Sequence, residues 1–222
     1  MLRKSCFVLV FLFLLIKVSA QEACKETQQE VFKIIANVYA LAAYGYEHSD
    51  PVALWSASRI LNKYPIRTLK ENKFISGDTL SDGFNKTVLD PYKLLEDALK
   101  FCKDESISSL IENEKAYLDD TELKDRGRQY SPYVQEYLLK PLGNITLNTT
   151  FLGKEIAEVY VVNYDGTALE LKIFNNKGKM IAKDPNSIAN CYVSFTPEKT
   201  AGYKIEIQNN SRQKTQCLLM TN

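Results

Sequence analysis

The chain has 222 residues, of which 45% are hydrophobic and 25% are charged, and it contains a single histidine. This composition is typical of a globular protein and excludes a disordered one. The 28 basic residues nearly balance the 27 acidic ones, which excludes the strong positive charge of a dedicated nucleic-acid binder. A lone histidine also excludes most histidine-based metal and catalytic sites, and no cofactor motif is present.

The first 20 residues have the three parts of an export signal. Arg3 and Lys4 give a positive start, residues 7–16 form an unbroken apolar run, and the small residues Val18-Ser19-Ala20 precede the expected cleavage point. The run is shorter than the roughly 20 residues of a membrane-spanning helix, and no later segment is as apolar. We therefore predict an exported protein, periplasmic or extracellular, with no membrane span after signal removal.

The pattern from residue 21 to residue 143 predicts a helical domain with about four helices and a linker. Apolar residues between positions 31 and 42 recur every three or four residues, as on one helix face. Asp50-Pro51 and Asp90-Pro91 each predict a helix start, because aspartate accepts hydrogen bonds from free backbone N–H groups and proline fits the first turn. Ser106–Leu118 predicts a fourth helix, and the polar segment 66–89 predicts a loop.

The pattern from residue 144 to residue 222 predicts a small antiparallel β-sandwich that is jelly-roll-like. Apolar and polar residues alternate in four segments before a final strand, as half-buried strands require: 157–161, 169–173, 191–195, 203–207 and then 215–221. Three turns are predicted between them, at Asp165-Gly166, Asn176-Lys177-Gly178 and Asp184-Pro185-Asn186. The predicted fold class is therefore α+β, with helices first and a sandwich second.

The cysteines predict disulfides in an exported chain. Signal removal takes away Cys6, and the remaining four cysteines allow three pairings. Two lie in each half, so the pairing that respects the domains is Cys24–Cys102 and Cys191–Cys217. Buried free thiols are the alternative. The cysteines lack the short spacing of metal ligands, so no metal site is predicted.

Residues 151–222 resemble the bacterial pre-peptidase C-terminal family of β-sandwich modules. The resemblance rests on these features: Glu158-Val-Tyr-Val-Val162, Leu169-Glu-Leu-Lys-Ile-Phe174 with Gly178, Cys191-Tyr-Val-Ser-Phe-Thr-Pro197, Gly202-Tyr-Lys-Ile-Glu-Ile207 with Asn209, and the closing Leu218-Leu-Met-Thr-Asn222. The whole layout is also similar to uncharacterised exported bacterial proteins with a helical front and an Arg-Gly linker. Family members often carry an Asp-Leu-Asp pattern that could hold calcium. This chain has Leu169-Glu170-Leu171 there, with only Asp165 and Asp184 nearby, which argues against calcium because the ion takes six to eight oxygens.

A second resemblance is to the C-terminal sorting domains of Bacteroidetes secretion cargo. It rests on residues 169–178 and on Gly202-Tyr203. Those domains usually open with a Tyr-Pro-Asn-Pro-like segment and end in a basic tail, and this chain has neither. We therefore rank this resemblance second.

The linker supplies the candidate interaction surface, Arg126, Arg128 and Tyr130. Two guanidinium groups can hold an anionic group, and an exposed tyrosine ring can contact a partner. The alternative is a linker whose arginines pair with local acids.

These observations predict an exported non-enzymatic binding protein whose sandwich contacts a polymer, a protein or a cell-surface component. A nucleophile–histidine–acid site would have to use His48, which is better explained as a polar loop residue. One alternative is an accessory or cargo protein of a secretion system, with the sandwich as a sorting or attachment module. Another is a hydrolase with an unrecognised site. The expected partner is a protein or a cell-envelope polymer, with no nucleic acid.

Overall fold

The computed structural model describes residues 28–68, 74–77, 88–120, 131–187 and 190–222. Four helices come first: α1 (28–48), α2 (Pro51–Lys63), α3 (Pro91–Phe101) and α4 (Glu105–Asp120). Two short strands lie between α2 and α3, namely β1 (Arg67–Thr68) and β2 (Phe74–Gly77). Eight strands follow the helices: β3 (Tyr133–Leu139), β4 (Asn144–Phe151), β5 (Ala157–Asn163), β6 (Leu169–Asn175), β7 (Met180–Ser187), β8 (Asn190–Phe195), β9 (Ala201–Asn209) and β10 (Thr215–Thr221). The predicted α+β fold is confirmed.

Aspartate side chains cap the N-termini of three of the helices. Asp50 accepts hydrogen bonds of 2.9 and 3.1 Å from backbone N–H groups in the first turn of α2. Asp90 accepts one of 2.9 Å at the start of α3, and Asp104 accepts two at the start of α4. These bonds satisfy donors that have no partner within the helix. The helix starts predicted from the two Asp-Pro pairs are confirmed.

The strands form two packed sheets. Sheet A has the order β1-β3-β10-β5-β8, and sheet B has the order β2-β4-β9-β6-β7. From β3 onward, each sheet receives four antiparallel strands, and the chain passes between the sheets in the order of a jelly roll. The predicted jelly-roll-like sandwich is therefore confirmed.

Strands also occur before residue 143, where only helices and loops were expected. Strand β3 pairs with β10 along its full length, and β1 and β2 extend the two sheets from within the predicted loop 66–89. Strands β1 and β2 span two and four residues, too few for a clear alternation. Strand β3 is partly buried on both faces, which blurs its pattern. The change from helices to the sandwich thus falls near residue 131.

Strand β7 runs through Asp184-Pro185-Asn186, where we expected a turn, so that prediction is wrong. Strand β7 lies at the edge of sheet B, so a proline there removes no hydrogen bond from a central strand. Irregular register between β6 and β7 accompanies this segment.

Two apolar cores hold the protein together. The first fills the space between the sheets and includes Leu147, Val161, Leu171, Ile173 and Ile207. The second lies among the four helices and is built from these residues: Val38, Ala42, Leu54, Ala57, Leu61, Leu94, Leu95, Ala98, Ile111 and Leu118. Each core buries the apolar face predicted by its own periodicity.

A third cluster joins the helices to the outer face of sheet A. Phe32 and Ile35 of α1 are fully buried in this cluster together with Leu218 and Met220 of β10. The ring of Phe32 stacks on Tyr160 with centroids 5.9 Å apart. Helix α1 therefore has two apolar faces, one packed on the other helices and one on the sandwich. This contact covers part of the outer face of sheet A.

Among the described residues, no helix has the length and apolar character needed to cross a bilayer.

Candidate binding surface

The predicted Cys191–Cys217 disulfide is wrong. Neither residue forms a disulfide, and both thiols are buried in the core between the sheets. Cys191 lies on β8 and Cys217 on β10, and strand β5 separates them. Two strand spacings place their backbones about 10 Å apart, whereas a disulfide needs Cα atoms within about 7 Å. Burial raises the pKa of the Cys217 thiol, and neighbouring Cys191 adds to this, so Cys217 is poorly suited to act as a nucleophile.

The other predicted site residues fall at or beyond the edge of the described chain. Cys24 lies outside the described residues, so its pairing with Cys102 stays a prediction; the Cys102 thiol donates to the backbone carbonyl of Asp104 at 3.3 Å. Arg126, Arg128 and Tyr130 also lie outside the described residues. The predicted signal segment does as well.

His48 and the three acids considered for calcium each make their own local contacts and do not form a common site. The His48 ring packs against Tyr44 at a centroid distance of 4.4 Å. Asp165 accepts from threonine hydroxyls, Asp184 accepts from a backbone N–H of β8 at 2.7 Å, and Glu170 pairs with lysines. Within the described part of the chain, no group of three or more acidic, cysteine or histidine side chains is arranged to hold a metal ion.

The outer face of sheet B carries a ladder of alternating charges. The amine of Lys172 on β6 lies 2.7 Å from Glu170 and 3.6 Å from Glu206 of β9. Lys183 of β7 lies 2.7 Å from Glu170, and Lys204 of β9 lies 3.5 Å from Glu206. These five side chains cross three adjacent strands, because residues two apart in a strand point to the same face. We call them the charge ladder.

The charge ladder keeps its own groups ionised. Hydrogen bonds from Lys172 and Lys183 hold the pKa of Glu170 below its usual value. Glu170 in turn raises the pKa of Lys172. The two acids are therefore neutralised by lysines of the same face. A partner that meets this face encounters polar, paired groups rather than free negative charge.

The exposed charged side chains of the jelly roll are mostly basic. Residues 132–222 hold ten basic and eight acidic side chains. Six of the acids are engaged by neighbours: Glu136, Glu158, Asp165, Glu170, Asp184 and Glu206. Seven basic side chains are exposed and form no ion pair with a described residue: Lys140, Lys154, Lys177, Lys179, Lys199, Arg212 and Lys214.

Four of these free lysines gather at one end of the jelly roll. The loops 152–156, 176–179 and 196–200 all lie there, because β4, β6 and β8 finish at that end of the sandwich. They carry Lys154, Lys177, Lys179 and Lys199. Three apolar side chains accompany them: Leu152, Met180 and Ile181, which are 55%, 47% and 39% exposed. We call these seven residues the lysine end.

The opposite end of the jelly roll differs in its apolar content. It carries Lys140, Arg212 and Lys214 in the loops after β3 and β9, with exposed Leu142. Tyr164 is also exposed there, but its hydroxyl donates to the carbonyl of Ala36 in α1 at 3.4 Å. Free apolar side chains beside free lysines are therefore concentrated at the lysine end.

The sequence pattern alone does not predict the lysine end as a binding surface. It found the turn at Asn176-Lys177-Gly178 but treated it only as a connection between strands. The signal was the string Lys177-Gly178-Lys179-Met180-Ile181, in which charged and large apolar residues crowd a turn. The lysines and apolar residues of the other two loops come near it only through the fold.

Comparison with known proteins adds only a sandwich-like likeness. No family model matches the chain, and no curated protein matches it. Among solved structures, a mitogen derived from Yersinia pseudotuberculosis is 13% identical over 41% of this chain and 85% of that chain, with a TM-score of 0.32. The pre-peptidase C-terminal domain of a Bacillus anthracis collagenase is 9% identical over 40% and 87%, with a TM-score of 0.33. PirA is 13% identical over 40% and 94%, with a TM-score of 0.31.

The fold itself defines a class: a jelly-roll β-sandwich protein with a four-helix N-terminal part. The predicted resemblance to the pre-peptidase C-terminal family is supported only as a β-sandwich-like likeness.

Proposed function

We propose that the protein is an exported non-enzymatic binding protein whose jelly roll contacts a polymer, a protein or a cell-surface component of the cell envelope. One observation carries the proposal. Helix α1 covers part of the outer face of sheet A, whereas the lysine end keeps exposed lysines and exposed apolar side chains together.

The character of these groups indicates the chemistry of the ligand. The acids of the jelly roll are mostly engaged, and seven basic side chains are not paired within the described chain. A positive surface of this kind favours an anionic ligand through long-range attraction. The accompanying apolar side chains add contact area that a purely polar loop lacks.

The direct test is retention of envelope components by the immobilised mature protein. We expect anionic envelope material to be retained at low salt and released at high salt, because exposed charges are screened by salt. The control is the same chain with lysines 154, 177, 179 and 199 changed to glutamine. Equal retention by this control, or no retention by the natural chain, would contradict the proposed binding role.

The predicted linker surface has a separate test. Replacing Arg126, Arg128 and Tyr130 with alanine should weaken retention if these residues also contact the ligand. Unchanged retention would show that the linker is not part of the binding surface. Hydrolysis of a retained polymer by the pure protein would contradict the non-enzymatic part of the proposal.

A further inference from the structure

We propose that the lysine end docks onto an anionic lipid surface, with Leu152, Met180 and Ile181 entering the headgroup region and the surrounding lysines contacting lipid phosphates. This inference rests on the proposed binding function and names the partner of the same surface.

The charges of the lysine end fit a layer of negative headgroups. Lys154, Lys177, Lys179 and Lys199 are exposed and lie on three loops at the same end of the sandwich. Only two acids, Glu155 and Glu198, share these loops. Basic residues close to an anionic membrane each strengthen binding about fivefold, so several together produce a useful affinity.

The apolar side chains distinguish a lipid surface from a soluble polyanion. Leu152 is 55% exposed at the start of loop 152–156, and Met180 is 47% exposed where strand β7 begins after the β6–β7 turn. A water-soluble anionic polymer offers no apolar region to receive them, whereas the boundary between headgroups and acyl chains does. Lysine stems can lie along that boundary while their amines stay at the phosphates.

The loops are held in place before any partner arrives. The N–H of Gly153 donates to the Thr200 hydroxyl at 3.0 Å, and the N–H of Lys154 donates to the Pro197 carbonyl at 2.7 Å. In the β6–β7 turn, the Asn175 side chain accepts two N–H groups at 3.0 Å each. A pre-formed surface loses less conformational entropy on binding than a flexible one.

Vesicle sedimentation with the full mature chain tests the inference. The probe is phosphatidylcholine vesicles with and without about 30% phosphatidylglycerol, since the anionic lipid supplies the surface charge. We expect sedimentation only with the anionic vesicles. Changing Lys177 and Lys179 together to glutamine should weaken it about 30-fold at low salt. Changing Met180 and Ile181 together to serine should also weaken it while leaving the salt dependence intact.

A matched pair at the opposite end provides the control. Changing Lys140 and Lys214 to glutamine removes the same charge and should leave vesicle binding nearly unchanged. All six positions are exposed, and equal urea midpoints of the variants establish that each one folds. Equal losses from the two lysine pairs, or no sedimentation of the natural chain, would overturn the docking surface.

The outcomes also separate this inference from the proposed function. Binding to heparin beads without binding to anionic vesicles would identify a soluble polyanion as the partner and refute lipid docking. Loss of vesicle binding with continued retention of envelope material would refute the lipid inference alone. Failure of both assays would refute the binding function as well.

Discussion

A single methyl group at Gly153 should separate two loops of the lysine end. A Cβ atom built at this position would lie 2.5 Å from the Cα atom of Lys199 and 2.6 Å from the backbone nitrogen of Thr200. Both neighbours are backbone atoms, so neither can turn aside as a flexible side chain would. In Gly153→Ala, loop 152–156 must therefore move away from loop 196–200.

The cost follows from the contacts that this movement breaks. It stretches the Gly153–Thr200 bond of 3.0 Å and the Lys154–Pro197 bond of 2.7 Å. Each is worth about 1 kcal/mol net when lost, a stretched bond keeps part of that, and residual overpacking adds about 1 kcal/mol. We therefore expect the free energy of unfolding to fall by about 2–3 kcal/mol, and Tm by about 5–10 °C for a chain of this size.

Urea unfolding of two alanine variants checks this reasoning. Gly202 is the matched control, because an added Cβ there meets no atom within 4 Å. Gly202→Ala should leave stability unchanged or raise it slightly, since alanine loses less backbone entropy than glycine on folding. If Gly153→Ala unfolds within about 0.5 kcal/mol of Gly202→Ala, the close approach of the two loops is wrong.

Three further changes test other parts of the molecule. Burial opposes ionisation of Asp165, yet hydrogen bonds from threonine hydroxyls hold its pKa below the usual value of 3.8. The ionised side chain therefore stabilises the fold above that pH, and this contribution is lost as the pH falls through the lowered pKa. Asp165→Asn should flatten the decrease of the urea midpoint at acid pH, and an unchanged decrease would contradict this assignment. Phe32→Ala should lower the free energy of unfolding by about 3–5 kcal/mol, because the ring is fully buried against Tyr160 between α1 and sheet A. If urea unfolding shows only the small decrease expected for an exposed residue, the contact between α1 and sheet A does not form. Peptide mapping after brief alkylation should find Cys217 protected in the native chain and labelled in urea. Rapid labelling of Cys217 in the native chain would show that the core thiol is open to solvent.

Local rules explain the parts of the fold that were predictable. Asp50 and Asp90 each act on the next few residues, and their helices begin where the sequence indicates. The alternation along β6 and β9 reflects one face in the core and one face outside, which any half-buried strand shows. These signals depend on neighbours within a few positions, so the sequence contains them in full.

The strands that the sequence pattern did not predict depend on partners far away in the chain. Strand β1 exists because Arg67 and Thr68 lie beside Tyr133 and Val134, more than sixty residues later in the chain. A two-residue strand has no periodicity of its own. In sequence Asp184-Pro185 indicates a turn, but the position of Pro185 at a sheet edge makes it compatible with β7.

The cysteines show the same limit in the candidate site. Their number and their even division between the halves favoured a bridge between Cys191 and Cys217. Counting does not reveal that β5 runs between the two strands, and that strand order is a property of the whole sheet. The lysine end also needed the fold, because its three loops are separated by about twenty residues each along the chain.

The amino-acid sequence by itself determined the four helices, five of the ten strands in the described part of the chain and the change from helical to alternating periodicity. Each of these follows from backbone geometry and the burial of one local face. Only the tertiary structure decided which strands are neighbours, which face of sheet A helix α1 covers and which lysines share one end. Those features arise when apolar surfaces from distant segments pack together, and no short stretch of the chain encodes them alone.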